Sequence, residues 1–337
     1  MNILIYGAGA IGCHIGYCLY KAGHQVKLLC RGEHFTAMKQ DGMNITICDN
    51  EHIITETTLR DNKHFQIIDQ IEDSNDLYFD YVFVTVKLKD YNNDSMSALA
   101  RFLGESTAVI PPCTKLPFWW FYNLSGLENK KFKDVEFDPG LSGNFIKTNL
   151  ISMTMWVSAV LERPGHIIVR HVQRGYPVGA VHPNMIDRAE TLRDIFQKIC
   201  GSPVVEDIRS EIYIKSINAL AFNMVAIDTQ FTNLEFSKDS AAKECVEKIM
   251  LEGDQILKIM NIPVIQSIGS RIEQTLSSTK HTLSMLHDYN TGKEVELKFL
   301  WDGFDKVTNI LGIEMPYTRA LYERVKIKID ARSLINY

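Results

Sequence analysis

The sequence contains no apolar run of about 18 residues, the length that a membrane-spanning helix requires. Its apolar beginning is too short for a secretory signal and continues directly into a glycine-rich turn. The seven cysteines are odd in number and scattered, and no CxxC pair occurs among them. This usage is typical of reduced thiols rather than of a disulfide framework. We therefore expect a cytoplasmic protein that has no membrane partner.

Basic residues are fewer than acidic ones, which gives a net charge of −5, and the sequence contains no basic stripe. A nucleic-acid partner is therefore not expected. The ten histidines show neither HxxxH nor the His/Cys spacing of a zinc site, so no metal site is predicted. The 337 residues, 45% hydrophobic and 23% charged, have the composition of a globular protein that is long enough for two domains.

The first 30 residues follow the order strand, glycine turn, helix, strand. The apolar segment Asn2–Tyr6 leads into GAGAIG, and a helical pattern then runs to Gly23 before the apolar segment Val26–Cys30. In a dinucleotide site the first glycine permits a tight turn, the second admits the pyrophosphate and the third lets helix and strand pack closely. The N–H groups at the helix start hold the phosphates. The expected cofactor-binding residues here are Gly7, Gly9, Ala10, Ile11 and Gly12. The alternative is a glycine turn in another kind of α/β protein.

Two basic residues follow predicted strands. Arg31 stands where NAD sites usually carry an acidic residue, and its planar guanidinium suits a 2′-phosphate. This favours NADP(H) over NAD(H), although a solvated arginine is the alternative. Lys87 ends the apolar run Tyr81–Val86, and ligands of doubly wound sheets bind at the carboxyl ends of strands. Lys87 is therefore expected to face the cofactor or substrate, unless it is an ordinary surface lysine.

An unusual proline- and aromatic-rich stretch, PPCTKLPFWWF, occupies residues 111–121. It follows a predicted strand, so it could form the wall of a pocket over the nicotinamide. The equally weighted alternative is that its aromatic residues fill a core or anchor an interface.

The pattern changes after Asp207, where six long helical segments follow. We therefore predict an α/β domain over 1–206, with a doubly wound parallel sheet, and an all-α domain over 207–337. A short strand is expected at Pro203–Glu206. In the helical half, Lys215 and Asn223 are eight residues apart, which places them near one helical face. Lys215 is either a solvated edge residue or a functional amine.

A polar loop joins two of the predicted helices, and Ser284 is expected to close the first while Glu296 opens the second. The alternative to a functional role is that both are ordinary helix-end residues, because a glutamate in a first turn complements the helix dipole.

Several motifs together resemble the ketopantoate reductase (2-dehydropantoate 2-reductase) family, in order and over nearly the whole chain. They are GAGAIG at 7–12, Arg31, VTVK at 84–87, PGHIIVRH at 164–171, the Lys215 and Asn223 spacing, and SMLHD followed by Glu296. The resemblance implies a Rossmann-type domain and a helical domain similar to that of 6-phosphogluconate dehydrogenase. It also implies NADPH-dependent reduction of a 2-keto acid, most specifically of ketopantoate to pantoate in pantothenate and coenzyme A biosynthesis.

The resemblance also implies roles for individual residues. Lys215 would be the general acid, because an ammonium group both stabilises the oxygen on which charge builds and donates a proton to it. Glu296 would share the catalytic site, and the substrate-binding residues would be Lys215, Asn223, Ser284 and Glu296. On the cofactor side the resemblance implies Lys87 at the nicotinamide end, with Thr114 in the loop after the fifth strand.

The sequence departs from the family pattern in two places. Thr114 and Lys115 stand where members commonly carry Asn-Gly, and Ala219 stands where they commonly carry an asparagine. These departures leave two alternatives open: a related NADP-dependent dehydrogenase acting on a different keto or imino acid, and an inactive NADP-binding sensor. A methyltransferase is disfavoured by Arg31 and the helical half. The helical half could form a homodimer, although no feature of the sequence points to one.

Overall fold

The chain forms an α/β unit and a helical unit. Contacts within this computed structural model group Met1–Cys113 with Asp138–Ile208, and Thr114–Phe137 with Arg209–Tyr337. The residues that the structure describes are 1–49, 52–71, 79–87, 90, 93–111, 115–121, 149–277 and 283–335.

The strands of the first unit are numbered in chain order. They are β1 (Asn2–Tyr6), β2 (Gln25–Leu29), β3 (Met43–Asp49), β4 (His52–Leu59), β5 (Phe65–Ile68), β6 (Tyr81–Val84), β7 (Ala108–Ile110), β8 (Ile151–Met153), β9 (Trp156–Arg163), β10 (His166–Gly175) and β11 (Val178–Ala180).

The main sheet has five parallel strands in the order β5-β2-β1-β6-β7. Its strands are apolar runs because the sheet is covered on both faces, and all four residues of β6 are buried. The chain leaves β1 in one direction to β2 and later returns to the other side of β1 at β6. The carboxyl ends of β1 and β6 therefore flank the topological switch point, where doubly wound folds bind their ligands.

Two smaller sheets complete the unit. The first has the order β4-β3-β10-β9, in which β3 and β4 form an antiparallel pair, and the second pairs β8 with β11. The predicted strand at Pro203–Glu206 is wrong, because this described segment is an irregular connection between helices. Its exposed valine and its proline supply little apolar surface for a sheet.

The helices divide between the two units. Those of the first are α1 (Ala10–Lys21), α2 (Gly32–Asp41), α3 (Asn93–Ala100) and α4 (Ile186–Cys200), with a short 3-10 turn at Pro183–Met185. The others are α5 (Ile208–Thr229), α6 (Asn233–Lys238), α7 (Ser240–Ile259), α8 (Ile268–Leu276), α9 (Ser284–Asn290), α10 (Leu297–Leu311) and α11 (Pro316–Ile335), with a 3-10 turn at Phe118–Phe121.

Helix α5 is apolar in its sequence pattern and is buried over most of its length. Residues on all of its sides are buried, including Tyr213, Ile217 and Phe222, because its sequence is apolar around the whole circumference. Local signals set the ends of neighbouring helices. The Asp239 carboxylate accepts from the Ala242 N–H (2.7 Å) at the start of α7, and Gly312 takes the left-handed conformation (φ 69°) that ends α10.

One helix boundary corrects the sequence prediction at a candidate site residue. Ser284 is the first residue of α9, so it begins a helix and does not close one. Glu296 immediately precedes α10, as predicted.

Within the described part of the chain, no helix combines the length and the apolar character that crossing a bilayer demands.

Candidate cofactor and substrate sites

The glycine turn lies between β1 and α1. Gly7 has φ +109°, and a Cβ on it would lie 2.7 Å from the backbone nitrogen of Val86. A Cβ on Gly12 would overlap the Gly7 carbonyl oxygen and lie 2.7 Å from Thr85 Oγ1. Both positions therefore require glycine for the fold itself, because backbone and side chain close around them.

Gly9 differs from the other two glycines, because a Cβ on it would meet no described atom within 4 Å. It is exposed and is the N-cap of α1, and no side chain of the described residues caps that helix start. Ala10 and Ile11, the first two helical residues, are half-buried beside it. The turn thus has open space next to uncapped helix N–H groups. This arrangement fits a diphosphate, which such N–H groups and the helix dipole favour.

Thr85 joins the ends of β1 and β6. It is part of the VTVK motif at 84–87, but the sequence analysis assigned it no role. Its N–H donates to the Tyr6 carbonyl (2.9 Å), and its hydroxyl donates to the Gly7 carbonyl (2.7 Å). The threonine therefore holds the first glycine of the turn against the neighbouring strand. In the sequence Thr85 lies within the predicted apolar run Tyr81–Val86, whereas the observed strand ends at Val84.

His34 supports the same turn from α2 and was also absent from the sequence prediction. Its Nδ1 accepts from the Gly165 N–H (2.9 Å), so the proton of the neutral ring is on Nε2, which donates to the Ala8 carbonyl (2.9 Å). Burial lowers the pKa of His34, while the bond to Ala8 partly opposes that shift. The ring is therefore a neutral link between the glycine turn and the turn that precedes β10.

Arg31 lies at the carboxyl edge of the sheet and is exposed. Its guanidinium is close to the Tyr6 hydroxyl. Burial raises the pKa of Tyr6, and Arg31 opposes this by lowering it. The Tyr6 hydroxyl itself donates to the Ser95 carbonyl (3.1 Å) at the start of α3. Lys87 is likewise exposed, three residues after β6. Both cations therefore remain on the edge where the glycine turn lies.

The candidate cofactor residue Thr114 lies outside the described residues. The nearby aromatic stretch is partly described, and Trp119 and Trp120 are completely buried in the second unit. Trp120 Nε1 donates to the Arg209 carbonyl (3.0 Å), and Arg209 Nε donates to the Trp120 carbonyl (2.9 Å). The Trp120 ring stacks on Tyr213 at 6.2 Å. For these two tryptophans the structure favours the alternative in which they fill a core.

Lys215 and Asn223 both lie on α5, about 12 Å apart along its axis. Lys215 is half-buried, whereas Asn223 is only 5% exposed. The Asn223 amide donates to the Ala219 carbonyl (2.7 Å) and accepts from the N–H of Met285 (3.3 Å). The structure therefore brings Asn223 to the beginning of α9.

Ser284 and Glu296 stand at two helix starts in the same unit. Ser284 is exposed at the first residue of α9, next to the Met285 N–H that Asn223 binds. Glu296 is the half-buried N-cap of α10, and its carbonyl accepts from the Phe299 N–H (3.1 Å). At the start of α9 the Met285 N–H is thus already bonded by Asn223, and the Ser284 hydroxyl is the exposed polar group beside it.

Known families match both parts of the chain. Residues 3–112 match the family Ketopantoate reductase PanE/ApbA, and residues 207–328 match its C-terminal domain. The 2-dehydropantoate 2-reductase of Mesorhizobium japonicum is 24% identical over 330 residues, which are 97% of each chain. That of Pyrococcus abyssi is 24% identical over 331 residues, covering 97% of this chain and 98% of the relative.

Solved structures share the fold. A 2-dehydropantoate 2-reductase from Geobacter metallireducens aligns with a TM-score of 0.77 at 20% identity, over 97% of this chain and all of the other (100%). D-mandelate dehydrogenase, solved with NADH and anilino(oxo)acetate, aligns with a TM-score of 0.78 at 19% identity, over 98% and 99% of the two chains. With both of its domains matched, the chain belongs to the ketopantoate reductase family of oxidoreductases.

Proposed function

We propose that this protein uses NADPH to reduce the keto group of a 2-keto acid, and that its substrate is 2-dehydropantoate. The observation that carries the proposal is the open space at Gly9, next to the uncapped start of α1, between two glycines that the fold itself requires. The names of the curated relatives supply the substrate. Arg31, exposed at the same sheet edge, supports NADPH because its guanidinium suits a 2′-phosphate.

NADPH, when bound, supplies the hydride, and the protein supplies position and charge. Lys215 is the proposed general acid. Its ammonium group would stabilise the negative charge that develops on the substrate oxygen and would donate the proton that completes the hydroxyl. Half-burial of Lys215 on α5 limits the competition from water for that interaction.

Glu296, Ser284 and Asn223 are the proposed substrate-binding residues. The exposed hydroxyl of Ser284, the first residue of α9, suits the substrate carboxylate because it can donate a hydrogen bond to it. The carboxylate of Glu296 suits a substrate hydroxyl, because an ionised carboxylate only accepts hydrogen bonds. Asn223 contributes by holding the start of α9 through Met285.

A second candidate substrate is a 2-keto acid with a different side chain. Ala219 favours it, because this position lacks the amide that family members commonly place there. The amide oxygen of the neighbouring Asn218 is buried, and no described residue bonds to it. Losing a buried amide that binds substrate costs about 1–3 kcal/mol. A change of this size could redirect specificity.

The test follows NADPH oxidation by the purified protein with 2-dehydropantoate, beside a panel of other 2-keto acids that includes the keto acid of mandelate. We expect turnover of 2-dehydropantoate to exceed that of the panel. Faster turnover of another acid would support the second candidate, and tight NADPH binding without any turnover would support an inactive sensor.

Lys215→Ala tests the proposed acid directly. We expect kcat to fall by about 100-fold or more, with the Kd for NADPH within about twofold of the wild-type value. Lys326→Ala, on the exposed side of α11, is the matched control and should leave both values unchanged. Near-normal kcat in the Lys215 variant would exclude this role.

A further inference from the structure

Three side chains with metal-binding atoms converge between α1 and the end of α4. A ring nitrogen of His14, Cys18 Sγ and Cys200 Sγ all lie within 4.8 Å of one another. Cys18 Sγ is 3.6 Å from His14 Nε2 and 3.2 Å from Cys200 Sγ. His14 and Cys18 are one helical turn apart, and Cys200 is the last residue of α4. Helix packing thus brings the second sulfur, that of Cys200, to the other two groups.

The imidazole of His14 is oriented by a fourth residue. Tyr176 Oη lies 2.7 Å from His14 Nδ1, and both side chains are buried. When Nδ1 donates its proton to that oxygen, Nε2 keeps its lone pair and lies 3.6 Å from Cys18 Sγ. Histidines that bind metals are usually held in this way, with the second ring nitrogen bonded to an oxygen.

The distances are close to those of a metal site. With Zn–S bonds of about 2.3 Å and a Zn–N bond of about 2.0 Å, tetrahedral geometry separates sulfur from nitrogen by about 3.5 Å and sulfur from sulfur by about 3.8 Å. The pair of Cys18 and His14 already has that separation. The two sulfurs would have to move apart by about 0.6 Å. A small rotation of the half-buried Cys200 side chain can supply this movement.

We propose that His14, Cys18 and Cys200 form a binding site for a thiophilic divalent cation, and that this cation is Zn²⁺. Two thiolates and an imidazole are ligands that zinc accepts, whereas Mg²⁺ and Ca²⁺ require oxygen. Three protein ligands leave a fourth coordination position for water. This proposal departs from the expectation that the chain holds no metal, because Cys200 meets the other two ligands only in the folded chain.

A cation at this position would join α1 to α4. Helix α1 begins at the glycine turn, so the cation would stabilise the helix that carries the proposed phosphate site. Binding requires that the two thiols lose their protons, so it releases protons and becomes stronger with increasing pH.

The test uses Co²⁺, which replaces Zn²⁺ and gives visible and near-ultraviolet bands when thiolates bind it. Full-length protein is treated with a chelator, reduced with a phosphine and titrated with Co²⁺ and then Zn²⁺. We expect one equivalent of Co²⁺ to produce thiolate bands that Zn²⁺ displaces. Zn²⁺ should also raise the unfolding temperature, because a ligand of the native state stabilises it.

Variants identify the ligands. Cys200→Ser should weaken Co²⁺ binding by at least about 100-fold and remove the thermal shift. Cys48→Ser, another half-buried cysteine of the same unit, should behave as wild type. His14→Gln should keep thiolate bands but weaken the affinity. The proposal is overturned if stoichiometric Co²⁺ gives no thiolate bands with the wild type, or if the bands persist unchanged in the Cys200 variant.

Discussion

The side-chain carbonyl of Asn223 accepts a hydrogen bond from the backbone N–H of Met285, 3.3 Å away. The bond joins the middle of α5 to the first turn of α9, 62 residues later in the chain. The same amide donates to the Ala219 carbonyl one turn earlier. Because both ends of the amide are used, Asn223 holds a helix start in place, and Ser284 is the residue immediately beside that contact.

Asn223→Ala should therefore reduce stability as well as activity. Asn223 is 5% exposed, and removing one partner of a buried hydrogen bond costs about 1–3 kcal/mol. We expect this loss in the free energy of unfolding, measured by urea denaturation. Asn309→Ala is the control, because Asn309 makes a comparable bond to Asp305 on the exposed face of α10. Equal effects of the two substitutions would contradict the buried role.

Two glycines of the turn, Gly9 and Gly12, should respond differently to alanine. Gly12→Ala places a methyl group against Thr85 and the turn backbone, so it should lower the unfolding temperature by several degrees. Gly9→Ala meets no described atom, and the backbone of Gly9 (φ −75°, ψ −166°) is allowed for alanine. We expect Gly9→Ala to fold with wild-type stability and to lose at least tenfold in NADPH affinity.

The control for this pair is Gly269→Ala in α8, where a Cβ also meets no described atom. It should leave both cofactor affinity and stability unchanged or slightly improved, since alanine favours helices. Wild-type NADPH affinity in the Gly9 variant would mean that the open space is not a phosphate site.

Arg31→Ala should change cofactor preference. A charged hydrogen bond contributes about 1.5–3 kcal/mol, so the Kd for NADPH should rise about 10- to 100-fold. The Kd for NADH, which lacks the 2′-phosphate, should change by less than about threefold. Fluorescence titration measures both, and Arg60→Ala, an exposed arginine after β4, is the control. Equal loss for the two cofactors would contradict the assignment.

His34 predicts a pH dependence of stability. Burial holds its pKa below the ordinary 6.5, so the folded protein takes up this proton less readily than the unfolded chain does. Protonation therefore favours unfolding, and the stability that the neutral ring contributes is present above about pH 6.5 and lost as the pH falls below it. The protonated ring also cannot accept the Gly165 N–H.

The measurement is the unfolding midpoint of wild type and His34→Gln between pH 5 and 8. Glutamine does not titrate, so the wild type should lose stability relative to this variant as the pH falls below about 6.5. Parallel curves over the whole range would show that His34 does not titrate in this way.

The part of the fold that could be predicted from the sequence is the part set by local pattern. The order of β1, α1 and β2 follows from short apolar runs, a glycine turn and a helical period, all within 30 residues. The change to an all-helical second half was predicted for the same reason. Strand β5 and helix α6, which are short, left no comparable pattern.

The candidate site residues show the same difference between features set by local pattern and features set by distant contacts. The sequence predicts the glycines and Arg31 as cofactor-binding residues, because dinucleotide sites place such residues at constant offsets from a strand. Thr85 and His34 were missed, because each acts on the glycine turn from another element and has no spacing rule. The sequence left the role of the aromatic stretch open, and only burial of Trp119 and Trp120 favours a core.

Residue types and their spacing thus determined the two-part architecture, the glycine turn and the family. Tertiary structure alone decided which side chains hold that turn, that Asn223 binds the start of α9, and that Cys200 meets His14 and Cys18. The physical reason is how far apart along the chain the interacting residues are. Helix and strand periods are encoded by neighbours along the chain, whereas these contacts join residues far apart in sequence and arise only when packed elements bring them together.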